Sequence, residues 1–355
     1  MDLPVMPPVQ PMLAATAAQI PPGQQYEPKW DGFRAIIFRD GDDVHFGSRN
    51  TKPIQRYFPE LVAAVRAALP QRCVLDGEVV VQNQDGVLDF SALQQRIHPA
   101  ESRIKKLALQ TPATLLAFDC LALDDKSLLN EPLVVRRRAL ERAIGAESVE
   151  PERVALTPVT SDIAIAQGWF TDLESRGIEG IVAKDFEMEY RPGERVMTKI
   201  KHVRTADCVV AGFRPYKGDA QAVGSLLLGL YTEAGDLASV GIIGSFSQRR
   251  RRELFAELQP LVTTLRDHPW APIKDDDTSA ASVNSASGGV RKPQDAVVSR
   301  WSGTKNLEFV PLRPERVVEV KYDRMEGDRF RHTTQFVRWR TDRDPQSCTF
   351  AQLGR

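Results

Sequence analysis

Glu27-Pro28-Lys29-Trp30-Asp31-Gly32-Phe33-Arg34 sets a lysine beside an acid, a glycine and an arginine. An amine that attacks a nucleotide phosphate needs that company: acids to orient it, cations to hold the phosphate, and a backbone that can turn tightly. The same octet also reads as an ordinary strand end, where Lys-x-Asp-Gly makes a solvated turn. The choice depends on whether the rest of the chain supplies the other parts of a phosphate site.

Three segments carry polar residues two apart on candidate strands. Because strand side chains alternate, residues i and i+2 share a face. Lys29 and Asp31 are one such pair, Asp76 and Glu78 in Leu75-Asp76-Gly77-Glu78 a second, and Lys199 and Lys201 in Met197-Thr198-Lys199-Ile200-Lys201 a third. A charge inside an apolar strand is expensive unless it is paired or opens onto a cleft. Each pair alone also fits an exposed sheet face, but three together argue for a site. A fourth element, Glu179-Gly180-Ile181-Val182-Ala183-Lys184, breaks the alternation, since Glu179 and Lys184 lie five apart. Either a bulge intervenes or one of them lies beyond the strand end. The chain has no Gly-rich P-loop and no GxGxxG fingerprint. Lysines, acids and arginines in this number suit a phosphate-rich nucleotide held by cations, with carboxylates left for a divalent metal, magnesium being the natural candidate.

Outward from these motifs, 355 residues allow two domains, and 42% hydrophobic with 26% charged residues is an ordinary globular composition. The 47 basic and 47 acidic residues cancel, so net charge neither demands nor forbids a nucleic-acid partner. No apolar run approaches the roughly 18 residues of a membrane span. Met1 to Gln10 is Pro-rich without the basic-then-apolar order of a signal peptide, so a cytoplasmic location is expected. Cys73, Cys120, Cys208 and Cys348 are scattered, which argues against a zinc site or a disulfide framework and for buried free thiols. Of the two dense basic runs, Arg136 to Arg138 reads as a solvated helix face, and Arg249 to Arg252 as either that or a phosphate contact.

Hydrophobic spacing predicts a helix over Gln55 to Leu69, stopped by Pro70, and strands over Cys73 to Gln82, Thr114 to Leu123 and Ile178 to Lys184. A helix from Ser161 or Asp162 to Arg176 ends on Gly177. From Ala206 the texture changes to short strands, Asp207 to Phe213, Gly224 to Tyr231, Leu237 to Ile243, Arg316 to Asp323 and Arg331 to Arg340, with one helix from Gln248 to Leu265 bent at Pro260. Five strands and a helix suggest a small barrel of the oligonucleotide-binding (OB) type. A run rich in Ser, Ala and Asp near 274–300, including Thr278 to Ser282, reads as a flexible insertion. The domains are expected at 1–203 and 204–355.

The order Lys-x-Asp-Gly-x-Arg, Ser48-Arg49-Asn50, Asp76-Gly77-Glu78, Phe118-Asp119, Glu179-Gly180-Ile181-Val182-Ala183-Lys184, then Lys199-x-Lys201 resembles the covalent nucleotidyltransferases. Within that superfamily it resembles the ATP-dependent DNA ligases, in particular the small ligase C type of actinobacteria, over essentially the whole chain. The resemblance implies an α+β fold: an adenylation (nucleotidyltransferase) domain of antiparallel sheets with flanking helices, followed by a small OB-fold β-barrel. It implies that Lys29 attacks ATP and becomes a lysyl-adenylate, that the AMP passes to a DNA 5′-phosphate, and that a 3′-hydroxyl then seals the nick. Glu27 falls where the family reads adenine, Phe118 where an aromatic stacks on it, and Arg34 and Arg49 where arginines meet ribose and phosphates. Lys184, Lys199 and Lys201 resemble phosphate-binding lysines, with Lys199 and Lys201 also acting in catalysis. Glu78 and Glu179 resemble acids serving ribose and metal, and Asp31 joins them as a candidate ligand for Mg2+ or Mn2+.

Two departures stand out. Met197 occupies a place where the family often has Trp, and the last motif reads Arg340-Thr341-Asp342-Arg343 where Arg-x-Asp-Lys is common. That motif, with Arg340 and Arg343 as nucleotide contacts and Arg338 as another candidate, would orient pyrophosphate. The resemblance further implies hinge motion near 201–206, nicked duplex DNA as partner, a monomer in DNA repair or recombination, nucleoid association when on DNA, no further fused module, and by analogy a primase-like repair polymerase as companion. The alternatives are an RNA ligase or capping-type nucleotidyltransferase, or a non-catalytic DNA-end-binding repair scaffold.

Overall fold

The computed structural model describes residues 1–145, 153–271 and 308–354. The expected insertion near 274–300 lies outside the described residues. The chain divides into two compact units, Met1–His202 and Val203–Arg355.

In the first unit the strands are β1 (Leu13–Thr16), β2 (Gln25–Lys29), β3 (Phe33–Asp40), β4 (Asp43–Ser48), β5 (Arg72–Val81), β6 (Ala113–Leu123), β7 (Lys126–Ser127), β8 (Val154–Leu156), β9 (Gly180–Lys184) and β10 (Arg195–Lys201). Its helices are α1 (Pro59–Ala68), α2 (Phe90–Gln95), α3 (Glu101–Gln110), α4 (Leu133–Ile144) and α5 (Ile163–Asp172). One sheet has the order β1-β10-β9-β2 and a larger one β4-β3-β5-β6-β7, with β8 added beside β6. Pairing is antiparallel except for β1 on β10 and β8 on β6.

Alternation explains how the larger sheet is covered on both faces. Ala35, Ile37, Leu75 and Val79 point to one side, against Leu61 and Val65 of α1 and Leu140 of α4. Ile36, Phe38 and Val74 point to the other, against Met12, Tyr190 and Met197. Met197 is thus a packing residue, as a Trp in its place would be.

The expected single helix over Gln55 to Leu69 is split into a 3-10 turn, Gln55–Tyr57, and α1. Pro59 disfavours helical backbone at Phe58 (φ −133°, ψ 58°) yet suits the first position of a new helix. Proline acts likewise near Pro260: α6 (Gln248–Leu258) stops and a 3-10 turn, Gln259–Leu261, follows. The Arg136 to Arg138 run corrects its sequence reading. Only Arg138 is exposed; Arg136 is fully buried and Arg137 nearly so, because both find acceptors inside. All four cysteines are free and buried.

The second unit holds β11 (Arg204–Tyr216), β12 (Asp219–Tyr231), β13 (Leu237–Ile243), α6, β14 (Val310–Tyr322), β15 (Met325–Glu326), β16 (Arg329–Phe330) and β17 (Gln335–Trp339). The main sheet runs β13-β12-β11-β14-β17. Thr334, just before β17, bridges back to Ile243 of β13, and its N–H donates to the Ile242 carbonyl at 3.0 Å. That bridge joins the two edges into an OB-fold barrel. β11 and β12 each run 13 residues, longer than their sequence signals. Register shifts at Val210/Gly212 and Arg214/Pro215 let such long strands coil around a core. Val209, Leu227, Leu254 and Val318 lie in that core.

Candidate active site

Lys29 ends β2, and its Nζ lies 2.6 Å from Oε2 of Glu179. Lys201 at the end of β10 reaches the same oxygen at 2.9 Å. Glu179 itself precedes β9, and its N–H donates to the Lys29 carbonyl at 2.9 Å. This settles the alternation left open by the sequence: Glu179 lies just beyond the strand end, where its carboxylate reaches Lys29 although Lys184 is five residues away. Gly180 makes the turn possible, with φ of +147° and an Ile200 carbonyl where any side chain would begin. Gly32 has the same reason for being glycine, since a Cβ there would strike the Val79 carbonyl.

The two nearby glutamates shift in opposite directions. Burial alone would raise Glu179, but Lys29 and Lys201 outweigh it and bring its carboxyl down to about 2. Glu78 is pushed up to about 7 by burial, reinforced by Asp76 and Glu179 and only partly opposed by Lys29 and Arg34. Lys199 lies on the same strand as Lys201. Burial first, then repulsion from Lys201, Lys29, Arg195 and Arg49, lowers its pKa. Arg49 is exposed in the turn after β4, within electrostatic reach of Lys199.

The nucleobase end of the expected site is a buried polar strip. Glu27 is 2% exposed. Its Oε1 accepts from Gln25 Nε2 at 2.9 Å, and its Oε2 lies 2.8 Å from Lys184 Nζ. Phe118 on β6 has the Arg34 guanidinium 4.4 Å from its ring centroid and Lys184 Nζ at 4.7 Å. Arg34 is held by both oxygens of Asp76, at 2.5 and 2.6 Å. Tyr190 donates to Asp76 Oδ2 at 2.6 Å.

Lys29, Lys199, Lys201, Glu27, Arg34, Arg49, Glu78, Phe118, Glu179 and Lys184 thus belong to linked groups of the first unit. Asp31 needs a correction. It lies in the turn between β2 and β3, 5% exposed, so strand alternation with Lys29 does not govern it. Among the described residues no three Asp, Glu, His or Cys side chains cluster to hold a metal ion. The expected trio Asp31, Glu78 and Glu179 forms no such cluster, and Glu179 is gripped by two ammonium groups. Tyr190 and Gln25 were missed. Tyr190 lies 114 residues from Asp76, beyond any local signal. Gln25 was findable, two residues before Glu27 and on its face of β2.

In the second unit, Arg340 is bound on both sides. It donates to Asp342 at 2.9 Å twice, and to both oxygens of Asp207 at 3.0 and 2.9 Å. Arg343 Nε lies 3.6 Å from Asp207, and Arg338 pairs with Glu319 at 2.6 Å while 64% exposed. The Arg249 to Arg252 run is also largely spent. Arg250 pairs with Glu257 at 2.6 Å, Arg251 donates to the Val223, Gly224 and Gly244 carbonyls, and Arg252 meets Asp219 at 3.1 Å. Arg249 and Arg252 remain exposed.

Residues 11–201 match the family described as ATP dependent DNA ligase domain, and residues 219–343 the ATP dependent DNA ligase C terminal region. The chain is 58% identical over 356 residues to DNA ligase C of Mycobacterium tuberculosis, covering 100% of this chain and 96% of that protein. The chain belongs to the ATP-dependent DNA ligases. A second relative, DNA ligase C2 of Mycolicibacterium smegmatis, is 55% identical over 99% of this chain and 96% of its own length. These matches place the ligase with the ligase C type and favour it over an RNA ligase, a capping enzyme or a non-catalytic scaffold. A solved Lig E DNA ligase has the same fold as this ligase, with a TM-score of 0.56 at 17% identity over 93% of this chain and 99% of that one. No helix of the ligase among the described residues is long and apolar enough to cross a membrane.

Proposed function

We propose that this ATP-dependent DNA ligase seals nicks in duplex DNA through a lysyl-adenylate on Lys29. The observation that carries this reading is the Lys29–Glu179–Lys201 arrangement: one half-buried carboxylate oxygen shared by two amines at 2.6 and 2.9 Å. A carboxylate held at about 2 is too weak a base to remove a proton, so Glu179 orients Lys29 rather than deprotonating it. The excess of cations, with Lys199 beside them, attracts the phosphates and stabilises the charge that builds on them during transfer.

The steps balance bond for bond. The Lys29 nitrogen, its ammonium proton given up to solvent, bonds to the α-phosphorus as the bond to pyrophosphate breaks. A DNA 5′-phosphate oxygen then takes the AMP as the nitrogen–phosphorus bond breaks and the amine regains a proton from solvent. Finally a 3′-hydroxyl, its proton passing to solvent, attacks the DNA phosphorus and AMP leaves. Glu27 and Phe118 serve the adenine, Arg34 and Arg49 the ribose and phosphates, and Lys184, Lys199 and Lys201 the phosphate chain. Glu78 fits as a ligand for Mg2+ or Mn2+, since a hard carboxylate raised to about 7 by burial and acidic neighbours gains from a divalent cation. Such an ion, held by Glu78, would supply positive charge against the phosphates, and it would not require a three-acid cage. In the second unit, Arg338 and Arg343 are the more available cations for pyrophosphate, and Arg249 and Arg252 for DNA phosphates. Work as a monomer in DNA repair, alongside a primase-like polymerase, fits a ligase of this size.

The test is incubation with radiolabelled ATP and magnesium, followed by denaturation. Wild type retains AMP and Lys29→Ala retains none. Wild type that retains no label under conditions where it seals nicks overturns the assignment. Sealing of DNA and RNA nicks with ATP or GTP measures the selectivity.

A further inference from the structure

Tyr190 lies in the segment between β9 and β10, 3% exposed, and belongs to none of the motifs that carry the ligase pattern. Its position is nevertheless closely specified. Its N–H donates to the Leu129 carbonyl at 2.8 Å. Two residues earlier, the Met188 carbonyl accepts from Arg136 Nη1 at 2.7 Å. Arg136 is itself clamped by Asp119, at 2.8 and 3.1 Å, and its guanidinium lies 5.8 Å from the Tyr190 ring centroid.

At the other end of the side chain, the hydroxyl accepts from the Met12 N–H at 3.1 Å and donates to Asp76 Oδ2 at 2.6 Å. Asp76 is fully buried. It has Arg34 on both oxygens, and Arg34 lies over the Phe118 ring. Phe118 is the chain neighbour of Asp119. The contacts therefore close a circuit: Phe118, Arg34, Asp76, Tyr190, Arg136, Asp119, and back to Phe118. A carboxylate with one firm partner can still rotate; one held by an arginine fork and a tyrosine hydroxyl cannot rotate without breaking a bond in a dry interior.

We propose that Tyr190 is a positioning residue for nucleotide binding, fixing Asp76 so that Arg34 is presented at the Phe118 ring in one orientation. The inference rests on the reading that Arg34 and Phe118 serve the adenosine of ATP. It predicts an effect on how tightly ATP is held rather than on the transfer at Lys29, because Tyr190 touches neither Lys29 nor Glu179 in any contact described above.

Tyr190→Phe keeps the ring and its packing and removes only the hydroxyl. In single-turnover adenylation the ATP concentration for half-maximal rate rises about tenfold, as expected for a lost bond to a charged group, while the rate at saturation is retained. In an Arg34→Ala background the same substitution adds no further rise, because its action runs through Arg34. Asp76→Asn, as a second route to the same break, raises the half-saturating ATP concentration and is likewise silent when Arg34 is absent. A purely structural role would instead lower the active fraction and leave that concentration unchanged. An unchanged value in Tyr190→Phe, or equal rises with and without Arg34, overturns the proposal. A raised value in Arg34→Ala with a normal one in Tyr190→Phe overturns Tyr190 alone, whereas a normal value in Arg34→Ala overturns the underlying role of Arg34.

Discussion

Glu179 and Arg340 are mirror arrangements. At Glu179 one carboxylate oxygen is shared by two lysines, and at Arg340 one guanidinium is shared by two aspartates, Asp207 and Asp342. The first leaves a surplus of positive charge around Lys29, which Lys199 increases. At the second, the two aspartates match the guanidinium and one of them also meets Arg343, so no surplus of positive charge is left around the residue expected to meet pyrophosphate. The two clusters therefore differ in their affinity for a phosphate: the first invites an anion, and the second must give up a partner to receive one.

The comparison breaks most sharply at Glu179. In Glu179→Gln the amide cannot balance two ammonium groups, so Lys29 and Lys201 repel each other. Single-turnover adenylation is expected to fall about a hundredfold, the size of a broken buried ion pair. A rate within a few fold of wild type would mean that the shared oxygen does not orient Lys29. The counterpart is Arg340→Ala, which removes the guanidinium that Asp207 and Asp342 share. Its melting temperature is expected to drop by several degrees, with the defect in stability exceeding any specific loss in adenylation, whereas Arg338→Ala melts as wild type and weakens the ATP-dependent step. The reverse pattern would make Arg340 the pyrophosphate contact despite its pairing.

A smaller effect separates the two glutamates of the first unit. With metal chelated, Glu78 in the folded protein binds its proton up to about pH 7, above the ordinary carboxylate range. The folded state then holds more protons than the unfolded one between the ordinary value and 7, so stability from this group declines as pH rises through that window. Glu78→Gln is expected to melt higher than wild type at pH 8, with the difference closing toward pH 5. Glu179 runs the other way: held at about 2, its contribution is present above the ordinary carboxylate range and is lost as pH falls toward 2. Thermal melts across pH, on wild type and Glu78→Gln, separate the two. The smallest effect is at Arg249, 90% exposed and, among the described residues, paired only with Glu253 along its own helix. Arg249→Ala is expected to leave the melting temperature unchanged and reduce the salt sensitivity of DNA binding. Arg251→Ala, which strips donors from three carbonyls, lowers the melting temperature instead.

Much of the site was legible because strand alternation and motif order are local properties. Lys199 and Lys201 on one strand needed only the period of two. The acids of Asp76-Gly77-Glu78 stood out because charge in an apolar strand demands an explanation. What alternation could not give was the fate of each charge. Asp76 and Glu78 share a strand, yet one is sealed between Arg34 and Tyr190 while the other is left poorly compensated. Arg136 looked like a solvated face because its partner, Asp119, sits on another element.

The amino-acid sequence by itself determined the family and the order of the parts and singled out Lys29 as the proposed nucleophile, since these readings depend on residue type and on spacing over a few positions. Tertiary structure alone decided which charges are free to act. It placed Glu179 past its strand end between two lysines, locked Arg340 between two aspartates, and brought Tyr190 to Asp76 across 114 residues. The physical reason is that ion-pair partners are chosen by distance in space, and in this chain the distances that matter span separate strands and loops.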